Sequence, residues 1–145
     1  MTRARTIILL AEDDENDRFM LRRALDTAGL SHDVVHVPTG EECIVYLEAT
    51  SGGRYPLPDL LLLDIKMPRV SGFDVLDWLQ TQPALKLLPA VILSGSGLVS
   101  DREAAMAKGA KEYHVKAIDF AELVELMRGL SARWIVPDAS PGTGK

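Results

Sequence analysis

Two short apolar runs, each halted by carboxylates, constrain this chain more than any other feature. Leu60 to Leu63 is an unbroken apolar run that stops at Asp64, and Met67-Pro68 prevents a strand from continuing. An apolar run of that length without alternation suits a strand covered on both faces in a parallel sheet. Thr6 to Ala11 passes the same test and is followed at once by Glu12-Asp13-Asp14. A carboxylate directly after such a strand is lifted to the sheet's carboxyl edge, where ligands and chemistry collect in open α/β sheets. The plainer alternative for Asp64 is a strand-end group capping a loop. The other segments have to decide.

Helical periodicity returns between the apolar runs. A helix is predicted from Glu15 to Ala28, with Met20 or Leu21, Ala24, Leu25 and Ala28 on one face and Gly29 closing it. Asp33 to Val37 reads as a short second strand. Thr39-Gly-Glu-Glu42 has capping-box spacing and predicts a helix to Ala49. After a turn-rich connection from Ser51 to Pro58 comes the strand ending at Asp64, then a helix from Gly72 to Gln80 capped by Ser71. Leu88 to Ser94 is the fourth strand, and Ser100 or Asp101 is expected to cap a short helix ended by Gly109. Lys111 to Val115 is the fifth strand, and Asp119 caps a last helix with Phe120, Leu123, Val124 and Met127 at helical spacing. Five strands alternating with five helices predict an α/β fold: a doubly wound parallel sheet, order 2-1-3-4-5, with helices on both faces.

At 145 residues the chain makes one domain, placed at residues 1–136, with a polar Pro/Gly-rich tail at 137–145 expected to be flexible. The Gly-Thr-Gly-Lys ending lacks the strand, the helix and the Ser/Thr of a phosphate loop. No apolar run approaches the roughly 20 residues of a membrane span. Met1 to Arg5 lead straight into a strand-length stretch without a cleavage-like site, which argues against a secretory leader. A single cysteine, Cys43, excludes an internal disulfide and fits a cytoplasmic location. With three histidines it makes no zinc pattern. Net charge is −5, against a nucleic-acid binder driven by phosphate neutralisation.

Every strand except the second ends in a group able to do chemistry: Glu12 and Asp13, Asp64, Ser94, Lys116. In the predicted order the strands carrying them are consecutive neighbours about 4.8 Å apart, so the groups converge on one shallow site. Taken singly, each reads as solvated charge or an ordinary turn hydroxyl. Taken together, on four adjacent strand ends, they supply the parts of one reaction. Three carboxylates so placed repel one another unless a cation sits among them, and hard oxygen donors in an open, wet geometry suit magnesium. These parts fit phosphoryl transfer onto a carboxylate. Asp64 is the nucleophile, Lys116 pairs with a phosphoryl oxygen and the Ser94 hydroxyl donates to another.

Glu-Asp-Asp after the first strand, the run Leu60 to Gly72, Val-Ile-Leu-Ser-Gly-Ser and Tyr-His-Val-Lys together resemble the receiver domain of two-component response regulators, a flavodoxin-like fold. The likeness spans residues 6–130 and includes each signature region. It implies that Asp64 accepts phosphate from a phosphohistidine on a sensor histidine kinase in a Mg2+-dependent reaction. By the same resemblance Asp13 is the direct magnesium ligand, Glu12 acts mostly through water, and Lys66 supplies a main-chain carbonyl. Asp14 falls one place past the acid pair and reads as a helix-start charge. Ser94 is the switch hydroxyl, and Tyr113 the aromatic that reports phosphorylation on the face of the fourth helix and the strands flanking it.

The pattern departs from the family in two places. Its lysine is usually followed by a cis proline, whereas Lys116 precedes Ala117, and a cis bond there costs about 3–4 kcal/mol. Lys66 stands two residues past Asp64, where its side chain could crowd the water that hydrolyses the phospho-aspartate. With no output domain expected after the last helix, the chain would act by docking on another protein or passing its phosphate on. The long connection before Pro58 and the apolar Trp134-Ile135-Val136 are similar to stand-alone receivers that partner bacterial phytochromes. In those, dimers form through the last strand and helix. Trp134 could serve that interface or cover its own core. Cys43, Tyr46, Met20, Met67 and Met127 read as packing or turn residues, and Met106 as part of the docking face.

Two rivals remain. A haloacid-dehalogenase-like phosphatase wants a second Asp two residues after the nucleophile, where this chain has Lys66. A pseudo-receiver scaffold would bind without being phosphorylated. The intact Asp13, Asp64, Ser94 and Lys116 speak against it, and the missing proline speaks for it.

Overall fold

Where unbroken apolar runs meet amphipathic helices, both faces of a sheet must be covered, and the computed structural model has that arrangement. It describes residues 6–29, 33–116 and 119–135. Ala117, Val136 and the predicted tail at 137–145 lie outside them, so the geometry of the peptide after Lys116 and the domain's end do too. In chain order the elements are β1 (Ile7–Ala11), α1 (Glu15–Thr27), β2 (Asp33–Val37), α2 (Gly40–Ser51), β3 (Leu60–Leu63), α3 (Gly72–Gln80), β4 (Ala90–Ser94), α4 (Val99–Ala107), β5 (Glu112–Val115) and α5 (Phe120–Trp134). A 3₁₀ turn at Pro83–Leu85 precedes β4. The sheet runs β2-β1-β3-β4-β5, all parallel. This is the predicted flavodoxin-like order.

Successive strand side chains point to opposite faces, and the core divides accordingly. Leu9, Ala11, Leu61, Leu63, Ala90 and Ile92 pack with Cys43, Leu47, Val75, Leu76 and Ala105 on the side of α2, α3 and α4. Ile8, Leu10, Leu60, Leu62, Val91 and Leu93 pack with Leu21, Ala24, Leu25, Val124 and Met127 on the side of α1 and α5. Each buried Leu or Ile contributes about 1.5–3 kcal/mol. The four consecutive leucines of β3 therefore hold both layers onto the central strand.

Three expectations need correction. Met20 is exposed while Leu21 is buried, because Leu21, Ala24 and Leu25 already complete the inward stripe and Met20 falls beside it. α4 begins at Val99 after Leu98, one turn edge earlier than a Ser100 or Asp101 cap would place it. The N-cap residue Leu98 makes no side-chain cap; upstream of it Ser96 Oγ accepts from the Leu98 amide at 3.2 Å and donates to Asp101 Oδ2 at 2.5 Å. β4 starts at Ala90 rather than Leu88, since Pro89 has no N–H to give the ladder. Cys43, Tyr46, Met67 and Met127 are buried as expected, and Met106 is exposed.

Candidate functional site

At the carboxyl edge the strands stop on polar residues, and the backbone fixes where each side chain lies. The Glu12 amide donates to Val37 O and the Asp64 amide to Ala11 O, so both acids leave the sheet side by side. His36, at the end of β2, donates from Nε2 to the Glu12 carbonyl at 2.7 Å, which fixes its tautomer because a carbonyl only accepts. Gly72 lets the start of α3 lie against the end of β3: a Cβ there would stand 2.3 Å from Asp64 O.

Oxygens of Glu12, Asp13 and Asp64 lie within 4.8 Å of one another. Glu12 and Asp64 are buried and Asp13 is exposed. Burial together with the neighbouring Asp64 charge pushes Glu12 up to about 7, against the opposing pull of Lys116. The Lys116 ammonium lies 2.6 Å from Asp17 Oδ2, 3.0 Å from Glu12 Oε1 and 3.3 Å from Asp64 Oδ2. Burial alone would lower the Lys116 pKa, but the Asp17 hydrogen bond and the Asp64 and Glu12 charges outweigh it and raise it. A single ammonium among Glu12, Asp13, Asp64 and Asp17 leaves negative charge in excess. Hard carboxylate donors with one exposed member, and a neighbour whose proton affinity is raised by burial and then by repulsion, fit a small divalent cation. Glu12, Asp13 and Asp64 are the residues that would hold it.

Lys66 touches this cluster through its amide, and Ser94 and Tyr113 lie on β4 and β5. Ser94 is fully buried, and its Oγ accepts from the Ser96 amide at 3.1 Å. Tyr113 is buried, and its hydroxyl donates to Ser96 O at 2.8 Å. Arg102 donates to Tyr113 O at 3.2 Å and lies 5.4 Å from the centre of its ring. The Lys66 amide is 3.4 Å from Asp64 Oδ1, and its side chain is exposed. The fold thus joins Glu12, Asp13, Asp64 and Lys116 directly. Ser94 and Tyr113 meet each other through Ser96.

Sequence reasoning missed Asp17 and Ser96. Asp14 and Asp17 have capping spacing, which reads as helix-start chemistry and hides a contact across the fold. Ser96 sat within a Gly-Ser-Gly stretch that reads as a mobile loop, although it is buried. Trp134 is half-buried against the α1 and α5 layer and donates from Nε1 to Glu112 Oε2 at 2.6 Å, so its indole serves its own fold.

The family model described as response regulator receiver domain matches residues 8–128. Response regulator Rcp1 of Synechocystis sp. is 28% identical over 132 residues, which cover 89% of this chain and 88% of its own length. The solved Mn(2+)-bound form of Rcp1 superposes with a TM-score of 0.78 at 26% identity, covering 92% of this chain and 97% of that one. The phosphorylated cyanobacterial phytochrome response regulator RcpA gives 0.82 at 29% identity, covering 95% and 99%. Response regulator RPA3017, in red light signaling of R. palustris, gives 0.82 at 30% identity over the same shares.

Proposed function

Because this chain belongs to the response regulator receiver domain family, we propose that Asp64 takes a phosphoryl group from a phosphohistidine on a sensor histidine kinase, with Mg2+ as cofactor. A carboxylate oxygen of Asp64 attacks phosphorus, the P–N bond breaks, and the imidazole leaves with the electron pair and takes up a proton from solvent. Bound magnesium would screen the charge of the incoming phosphate, held by Asp13, Asp64 and the Lys66 carbonyl directly and by Glu12 mostly through water. Lys116 gives one of its N–H donors to a phosphoryl oxygen, and Ser94 turns its hydroxyl from the Ser96 amide to another. Tyr113 then follows, losing its bond to Ser96 O, and the change reaches the β4-α4-β5 face. There Leu98, Val99 and Met106 are exposed, and a downstream protein docks.

The observation that carries this reading is the convergence of Glu12, Asp13 and Asp64 within 4.8 Å, with the Lys116 ammonium 3.3 Å from Asp64. The upstream kinase is proposed to be a bacterial phytochrome, supported by the descriptions of RcpA and RPA3017. A homodimer through β5 and α5 is proposed as well, β5 being an edge strand of the sheet. Action in the cytoplasm and slow self-hydrolysis of the phospho-aspartate complete the reading.

Acetyl phosphate with Mg2+ tests it. The protein should gain one acid-labile phosphate by intact mass, and Asp64→Asn should gain none. A phosphatase would instead turn over added phosphomonoesters, and a scaffold would do neither. Lys66→Asn should change the rate at which the label decays; an unchanged rate makes that side chain a bystander. Transfer of label from a phytochrome kinase, and sedimentation with and without beryllofluoride, test partner and dimer.

A further inference from the structure

Helices α1, α2, α3 and α5 each have an acidic residue three places after the N-cap, and in α3 and α5 its side chain closes the box. In α3 the Asp74 carboxylate reaches back to the Ser71 amide at 3.0 Å, and in α5 the Glu122 carboxylate reaches back to the Asp119 amide at 3.2 Å. Each closes a capping box. In α1 the first half of the box is made: Asp14 Oδ1 accepts from the Asp17 amide at 2.9 Å. The second half is not. The Asp14 amide donates instead to Glu12 Oε2 at 3.1 Å, which relieves the Asp17 side chain of capping work. That carboxylate makes the shortest of the three contacts of the Lys116 ammonium.

An ammonium has three N–H donors, and Asp17, Glu12 and Asp64 take all three. A phosphoryl oxygen arriving on Asp64 finds none free. Glu12 is buried and held among the metal-site acids, whereas the Asp17 side chain is 41% exposed and can be rehydrated at little cost. Asp17 is therefore the partner that Lys116 gives up most readily.

We propose that Asp17 is a positioning residue that latches Lys116 to α1 in the unphosphorylated protein and competes with the phosphoryl group for it. Asp17 thereby limits the population of the phosphorylated conformation and ties the start of the β5–α5 connection to α1. The inference rests on the phosphoacceptor reading above, and its test separates the two.

The experiment titrates beryllofluoride with Mg2+ into the full chain and follows binding by 1H–15N spectra. Asp17→Asn should bind on the order of five-fold more tightly than the parent, the scale of a partly exposed ion pair. Asp17→Glu should return toward the parent value. Glu15→Gln removes the same charge from the same helical turn without touching Lys116, and should stay within about two-fold of the parent. In a Lys116→Met background, Asp17→Asn should have no further effect. Equal affinity for Asp17→Asn and the parent, an equal gain from Glu15→Gln, or a gain that survives Lys116→Met would each overturn the latch while leaving the acceptor reading intact. A parent protein that binds no beryllofluoride overturns the acceptor reading and the competition with it. The Lys116 ammonium resonance judges the contact itself: it should be protected from exchange in the parent and lose that protection in Asp17→Asn, and equal protection in both overturns the latch.

Discussion

The two ends of β5 carry inverted electrostatic arrangements. At the carboxyl end one cation, Lys116, meets the three carboxylates of Asp17, Glu12 and Asp64. At the amino end one carboxylate, Glu112, meets three donor groups: Arg133 through Nε and a terminal nitrogen at 2.6 and 2.7 Å, Trp134 Nε1 at 2.6 Å and His114 Nε2 at 2.7 Å. The consequences are opposite. Chiefly the Arg133 hydrogen bond, against burial and with help from His114 and Trp134, pulls Glu112 down to about 2. Burial and Asp64 push Glu12 up to about 7. One cluster satisfies its odd charge and locks α5 to the edge strand. The other leaves negative charge unsatisfied, which costs stability and suits a cation.

Substitutions at each end should therefore have opposite signs. The largest effect is expected for Glu112→Ala, which leaves Arg133 and the Trp134 indole without their acceptor and should cost about 2–3 kcal/mol in urea unfolding. The yield of acid-labile phosphate should be unchanged. Asp64→Asn should abolish that phosphate yet raise stability by about 1 kcal/mol, because it removes one of the repelling acids. Added Mg2+ should shrink the gain by stabilising the parent. A loss of stability in Asp64→Asn would mean that the acid-rich end is not strained.

The pH dependence sharpens the contrast further. The Glu112 pKa falls on folding from 4.5 to about 2, so its contribution is present above about pH 4.5 and is lost as pH falls toward 2. The Glu12 pKa rises on folding from 4.5 to about 7, so its contribution is present below about pH 4.5 and is lost as pH climbs to 7. Urea midpoints across pH 2–8 should show a descending limb on each side. Glu112→Gln should flatten only the acid limb and Glu12→Gln only the near-neutral one. The smallest effect should come from Trp134→Phe, which keeps the packing and loses one hydrogen bond, about 0.5–1.5 kcal/mol by thermal unfolding. A much larger loss would make the indole, rather than Arg133, the main lock on α5.

Much of this molecule is legible in the chain as written, for a local reason. Whether Leu60 to Leu63 is a strand, and whether Leu21, Ala24 and Leu25 share a helical face, depends on spacings of a few residues. The strand order and the meeting of Glu12, Asp13, Asp64 and Lys116 were expected from the alternation of strands and helices, which suits a doubly wound sheet with aligned strand ends. What the chain by itself could not decide are choices among partners far apart in it. Asp14 and Asp17 have the same capping spacing as Asp119 and Glu122, yet Asp17 binds Lys116, 99 positions away, because Glu12 has already taken the amide it would have capped. Trp134 reads equally as interface or core until Glu112 is found 22 residues back and within hydrogen-bonding reach. Periodicity is a property of neighbours along the chain, and so the sequence determined the elements and their order. The partner of a charged side chain is a property of neighbours in space, and only the tertiary structure determined that.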